Sequence, residues 1–389
     1  MTPVEVNGRR YRRPSTRTVV VCIDGVDPRY VDDAFERGIV PRLRELAEQG
    51  VYARGQSQLP SFTNPNNLSI VTGAPPSVHG LPGNHYLSPE GAEVQLTDPS
   101  FLRAPSILAA FANEGVPVLA VTTKDKLRRL LGAGGVPCVS AERATDLELP
   151  GRGSVAAFVD RTPPGIYDWD CSHYALELGL ALGAALDVEL MYVSLTDFVQ
   201  HAAAPGDTLS DRYLVRLDEL VGRYLDESWQ VGLVADHGMN AKPRIAYLGD
   251  ALDAAGVGDA HVILPITDPY VVHHAALGSA CWIHVEDRER AAEAVAAVAG
   301  VEEVLTREQA AEELSLPADR IGDLVVLADW STALGGRESE HDLTTLRGPL
   351  RSHGGRHEQT VPILLSVPSS RADGASNADV FHLLVGDGR

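Results

Sequence analysis

The feature that most restricts the fold of this chain is a series of short apolar runs, each followed at once by polar residues. Thr18–Ile23 reads TVVVCI, and Val118–Thr122, Glu189–Leu195 (ELMYVSL) and Val231–Ala235 (VGLVA) are of the same kind. A strand with one wet face alternates in hydropathy, whereas an unbroken apolar run suits a strand buried on both faces of a helix-covered parallel sheet. Between these runs lie stretches with helical patterning, among them Pro41–Gln49, Ala175–Leu186 and Asp211–Leu225. The alternation predicts an α/β fold with a doubly wound, mostly parallel sheet. Ligands of such sheets gather at the carboxyl ends of the strands, which gives weight to Asp24, Asp197 and Asp236, each just beyond an apolar run.

From about residue 249 to 340 the pattern changes. CWIHVED reads as a strand and Arg288–Ala299 as a helix; GVEEVLTREQAAEEL and RIGDLVVLAD follow. This predicts a compact β-α-β-α-β module, an α+β cap domain over residues 249–340. It is inserted into a core formed by residues 1–248 and 341–389. Neither a fixed-period repeat nor a low-complexity tract is present.

The 389 residues include 53 acidic and 33 basic ones, a net charge of −20, which opposes a broad grip on a phosphate backbone or an anionic bilayer. Nucleic acid and membrane are therefore excluded as expected partners. The four cysteines, Cys22, Cys138, Cys171 and Cys281, form no CxxC pair and suggest neither a disulfide framework nor a thiolate zinc site. The amino-terminal stretch is polar and basic before a first apolar run of about five residues, too short for a signal peptide or a membrane span. A reducing, cytoplasmic setting is expected.

Five segments carry groups fit for chemistry. Asp24 in IDGVD can bind a cation or cap a turn. Asp197 and His201 in TDFVQH are four residues apart, so a helix places carboxylate and imidazole on one face. Asp236 and His237 in VADHGM follow a buried strand, in a loop where both can turn inward. RSHGGRHEQ offers His353 and His357. In LPSFTNPNNLSIVTG a hydroxyl, Thr63 or Ser61, stands at the start of a helix, where free N–H groups favour an anion; capping is the plainer role. Asn84 in LPGNHYL reads by default as a turn residue. Together the carboxylates and imidazoles can form two cation sites, Asp24/Asp236/His237 and Asp197/His201 with a further imidazole. Such N/O ligands suit Zn²⁺, with Mn²⁺ or Fe²⁺ as alternatives. Two cations about 4 Å apart would clamp an in-line displacement at phosphorus.

The order of IDGVDP, SFTNPNN, VTGAPPSVHG, GNHYL, TDFVQH, VADHGM and SHGGRHEQTVP resembles the alkaline phosphatase superfamily, from about residue 17 to 368. Within it the motifs are most similar to the nucleotide pyrophosphatase/phosphodiesterase-like enzymes. TTKDKLRRLLG at 122–132 and DRIGDLVVLAD resemble segments of its phosphonoacetate hydrolases. The resemblance implies an alkaline phosphatase-like core and Thr63 as a metal-bound nucleophile. It implies one metal held by Asp24, Asp236 and His237 and a second by Asp197, His201 and His353. Asn84 would donate to a substrate oxygen, and Lys124 and Lys126 would face the carboxylate of a small anionic phosphonate. Arg216 has no motif behind it. The implied reaction is hydrolysis of the C–P bond of phosphonoacetate to acetate and phosphate through a phosphothreonine, with a homodimer as the candidate assembly. The alternatives are a phosphodiesterase or nucleotide pyrophosphatase on the same two-metal site, a mutase, and a non-catalytic metal-stabilised binding protein.

Overall fold

The computed structural model describes residues 3–267, 273–346 and 348–387. Numbering only the strands of the two larger sheets, these are β1 (Thr18–Cys22), β2 (Val51–Gln56), β3 (Val118–Thr122), β4 (Cys138–Ser140), β5 (Leu190–Ser194), β6 (Gln230–Val234), β7 (His261–Ile263), β8 (Ala280–His284), β9 (Val301–Thr306), β10 (Leu324–Ala328) and β11 (Thr360–Leu365).

The first sheet has seven strands in the order β2-β11-β6-β1-β5-β3-β4. Its neighbours from β6 to β4 pair in parallel. Only β11 runs the other way, antiparallel to both β6 and β2. The sheet is thus mixed but mostly parallel. Every residue of β1, β3 and β5 is buried, the reason their sequences lack alternation. Helices Pro41–Gln49, Cys171–Ala185 and Thr208–Asp226 pack on this sheet close to where the patterning put them, with ends shifted by a few residues.

Strands β6, β1, β5 and β3 are consecutive in space, so the residues just beyond their carboxyl ends share one edge of the sheet. Those residues are Asp236, Asp24, Asp197 and Lys124. Gly25 makes the turn after Asp24 with φ +71°, a conformation costly for other residues. A Cβ there would also lie 3.0 Å from that of Asp197.

The second sheet, β7-β8-β10-β9, is antiparallel, and helices Arg288–Ala296 and Arg307–Glu313 flank its strands in sequence. The β-α-β-α-β order is present, with edge strand β7 added ahead of it. That strand is three residues long and begins with an exposed histidine, so it left no apolar run to read. Side chains of β8 and β10 alternate between two clusters, as period-two packing requires. Cys281, Ile283, Leu324 and Val326 lie on one face. Trp282, Val325 and Leu327 lie on the other, together with Leu59 and Phe62, the latter immediately before Thr63.

A buried ion pair ties the returning chain in place. Lys242 Nζ donates to Glu358 Oε1 at 2.8 Å, with both side chains 0% exposed. Glu358 also accepts from Asn240 Nδ2 (2.6 Å) and from the Gly355 N–H (3.1 Å), and Lys242 reaches the Trp330 carbonyl (3.0 Å). Removing one partner strands the other charge in the interior, which costs about 3–5 kcal/mol. Glu358→Ala should lower stability by about that amount in denaturant unfolding, while replacing exposed Glu302 should leave the midpoint nearly unchanged.

Candidate active site

The edge formed by β6, β1, β5 and β3 gathers three carboxylates and four imidazoles. Asp24, Asp236 and His237 form one group and Asp197, His237 and His353 a second; Asp197, His201 and His273 form a third. In each group the donor atoms lie within 4.8 Å of one another. His237 Nε2 is 3.2 Å from Asp24 Oδ1 and 3.8 Å from Asp236 Oδ2. Asp197 Oδ2 is 2.9 Å from His201 Nε2 and 3.6 Å from His353 Nε2. The His237 and His353 rings stack with centroids 3.5 Å apart, so the two halves of the cluster touch.

Three of the imidazoles are oriented from behind. His201 Nδ1 donates to the Arg351 carbonyl (2.6 Å), His237 Nδ1 to that of Gly238 (2.9 Å) and His353 Nδ1 to that of Ser61 (2.8 Å). A carbonyl only accepts, so Nδ1 carries a hydrogen and Nε2 is the nitrogen that faces the carboxylates. Two acceptors 2.9 Å apart, such as His201 Nε2 and Asp197 Oδ2, require a proton or a cation between them. The Asp24 carboxylate, fully buried, has no hydrogen-bond donor to either oxygen among the described residues. Such a donor set fits divalent cations.

The charges agree. Burial, with the neighbouring Asp197 and Asp236, pushes the Asp24 carboxyl well above its ordinary range. Burial is also the main reason the Asp236 carboxyl rises to about 7. Asp197 is buried too, but Lys124 and His201 beside it hold its carboxyl well below the usual value. Burial keeps His353 neutral.

Thr63 is the first residue of the helix Thr63–Thr72, and its Oγ1 lies 3.2 Å from His237 Nε2. Ser61, the other hydroxyl considered, is occupied elsewhere: it donates to the Gly355 carbonyl (2.8 Å) and accepts from the Gly354 N–H (3.1 Å). His353 is in the cluster. His357 is half-exposed and pairs with Glu302 at 2.7 Å. Thr63, Asn84, Lys124, Lys126, Asp197 and His353 line one pocket. Asn84 Nδ2 donates to the Ile266 carbonyl at 3.2 Å, which ties that wall to the segment after β7. Lys124 Nζ lies 3.2 Å from Asp197 Oδ1, its charge turned toward the clustered acids. Arg216, on the helix Thr208–Asp226, pairs with Glu219 of the same helix and with Glu177 of the helix Cys171–Ala185.

Two neighbours escaped the sequence reading. His273 and His274 also line the pocket, and the His273 ring centroid lies 4.4 Å from that of His201. Their only signal was a doubled histidine, HH, in a chain with 13 histidines.

The model of the type I phosphodiesterase/nucleotide pyrophosphatase family matches residues 18–357. The chain belongs to this family. The likeness drawn from the motifs is borne out further by solved structures. The phosphonoacetate hydrolase of Sinorhizobium meliloti 1021 in complex with phosphonoformate is 40% identical, with a TM-score of 0.93 and 97% of each chain covered. Its complex with phosphonoacetate gives 39% identity and the same score and coverage. Human ectonucleotide pyrophosphatase/phosphodiesterase 5 is similar in fold at 16% identity, with a TM-score of 0.65 over 95% of this chain and 93% of its own. An uncharacterized pyrophosphatase/phosphodiesterase of Schizosaccharomyces pombe is 36% identical over 72 residues, 18% of this chain. The match spans only 14% of that curated relative's length.

In this family member a cation must displace protons from carboxyls whose affinity for them is raised. Apparent affinity for a divalent cation should therefore rise with pH up to about 7, by about tenfold per pH unit for each proton released, and flatten as Asp236 loses its proton. Zinc titration calorimetry in two buffers of different ionisation enthalpy should show proton release near pH 6 that fades above the Asp236 value of about 7.

Proposed function

We propose that the chain is a metal-dependent phosphonoacetate hydrolase, cleaving the C–P bond to give acetate and phosphate. The observation that carries this reading is the pocket: a hydroxyl and a metal-ligand cluster at one end, and Lys124 and Lys126 on its wall. Its likeness over 97% of the chain to an enzyme solved with phosphonoacetate supports the same substrate. The pocket is narrow and opens to one side. A small acid suits so narrow a space better than a nucleoside.

In this reading Asp24, Asp236 and His237, with Thr63, hold one divalent cation, and Asp197, His201 and His353 hold the other; zinc suits these ligands best. The bound cations would supply positive charge to the phosphonate oxygens and lower the cost of ionising the threonine hydroxyl. Thr63 Oγ1, its proton given up to solvent water, attacks phosphorus in line, and the C–P electron pair leaves with the acetate carbon. That charge spreads into the carboxylate, where Lys124 and Lys126 stabilise it, and the carbon takes a proton from water. Asn84 offers its amide to a phosphonate oxygen. Water then hydrolyses the phosphothreonine and restores the hydroxyl. The segment 249–340, which brings Ile266, His273 and His274 to the pocket, serves as the cap that limits solvent. Four free cysteines, three of them buried, suit the cytoplasm.

The phosphodiesterase reading differs in one measurable respect, the leaving group. Phosphate release from phosphonoacetate should exceed turnover of a nitrophenyl phosphodiester in kcat/KM for protein loaded with zinc. The reverse ranking would overturn the assignment. Thr63→Ala should abolish phosphate release with both cations retained by metal analysis; a wild-type rate would remove Thr63 from the nucleophile role. Lys126→Ala should cost about 10²–10³ in turnover, the usual loss for one preorganised charge contact.

A further inference from the structure

Asn67 lies four residues after Thr63, one helical turn on, so its side chain can reach back to the first turn. Its amide has a partner on each side. Nδ2 donates to the Thr63 carbonyl (3.0 Å) and to Asp236 Oδ2 (3.0 Å), while Oδ1 accepts from Tyr192 Oη on β5 (2.7 Å). Asn67, Tyr192 and Asp236 are all 0% exposed. Only one orientation of the amide satisfies this set. Turned over, its oxygen would face a carboxylate and a carbonyl, two groups that only accept. The tyrosine hydroxyl selects the working orientation by donating to Oδ1.

The carboxylate at the other end is held as firmly. Asp236 Oδ1 accepts from the N–H groups of Gly25 (3.2 Å) and His237 (3.1 Å), and Asn67 fixes Oδ2. One side chain thus touches both the turn that carries the nucleophile and a carboxylate of the metal-ligand cluster. His237 also touches both, but as a member of the cluster itself, whereas Asn67 stands behind it.

We propose that Asn67 is a positioning residue that sets the spacing between Thr63 and the first cation's ligands, and that Tyr192 acts through it as the orienter. The inference rests on the roles given above to Thr63 and Asp236. Partners standing behind metal ligands usually influence affinity or activity by about 10–100-fold. Asparagine suits the place because an aspartate would set a second carboxylate against Asp236, and leucine of similar size would leave Oδ2 without a donor in the interior.

The test uses the full-length protein, with Asn67→Leu, Tyr192→Phe and the double variant. Four quantities are measured: zinc affinity by chelator competition, kcat and KM for phosphonoacetate, and the thermal midpoint. Asn67→Leu should lose about 10–100-fold both in affinity for one of the two zinc ions and in kcat, with KM near the wild-type value. A side chain that only stabilised the fold would lower the midpoint and leave those two quantities alone in the folded protein. Tyr192→Phe should shift both in the same sense by less, and the double variant should be no worse than Asn67→Leu, because the hydroxyl works through the amide. Wild-type zinc affinity and kcat in Asn67→Leu, a change confined to KM, or full additivity of the two substitutions would overturn the proposal. If Asn67→Leu does not fold, Tyr192→Phe decides, and unchanged values there overturn it. Should wild-type protein release no phosphate from phosphonoacetate, the substrate reading fails, while the zinc affinities still decide the role of Asn67.

Discussion

Three carboxylates, Asp24, Asp197 and Asp236, are buried side by side at the ends of neighbouring strands, and this concentration of negative charge governs the rest of the site. Coulomb repulsion and lost hydration make such a cluster unstable unless positive charge enters it. The chain answers in part with Lys124, whose ammonium rests against Asp197, and in part with raised proton affinity at Asp24 and Asp236. Imidazoles whose outer nitrogens are anchored to backbone carbonyls complete a set of inward-facing lone pairs. Such an arrangement is costly in a folded interior and repaid when divalent ions bind.

The mostly parallel sheet is what allows the cluster to form. Strands running the same way bring their following loops to one edge, so residues separated by more than 200 positions become neighbours without long excursions of the chain. The turn at Gly25 and the clasp between Ser61 and the glycines at 354–355 then bring the last pieces in.

Much of this was legible in the chain's patterning. The unbroken apolar runs marked β1, β3, β5 and β6, and polar residues directly after them marked Asp24, Asp197, Asp236 and His237. What could not be read depends on contacts between distant residues. Ser61 and Thr63 are equivalent as helix-start hydroxyls until Ser61 is seen bonded to a loop almost 300 residues away. His353 and His357 differ only in what meets them, a buried carbonyl in one case and Glu302 in the other. Lys124, placed by resemblance at a substrate carboxylate, lines the pocket with its ammonium 3.2 Å from Asp197 Oδ1, a contact that no motif announced. His273 and edge strand β7 lay in a stretch with no periodic signal, and the hydrogen bonds of Asn67 were hidden inside a helix buried on nearly every side.

The apolar layer shared by Trp282, Val325, Leu327, Leu59 and Phe62 has a consequence for how the protein tolerates heat. Regions of a protein loosen separately, the least supported first. The smaller sheet has four strands against seven in the larger one, and the residue ahead of Thr63 is wedged into it. Loosening of the lesser layer would therefore reach the turn that carries this hydroxyl even while the larger sheet held.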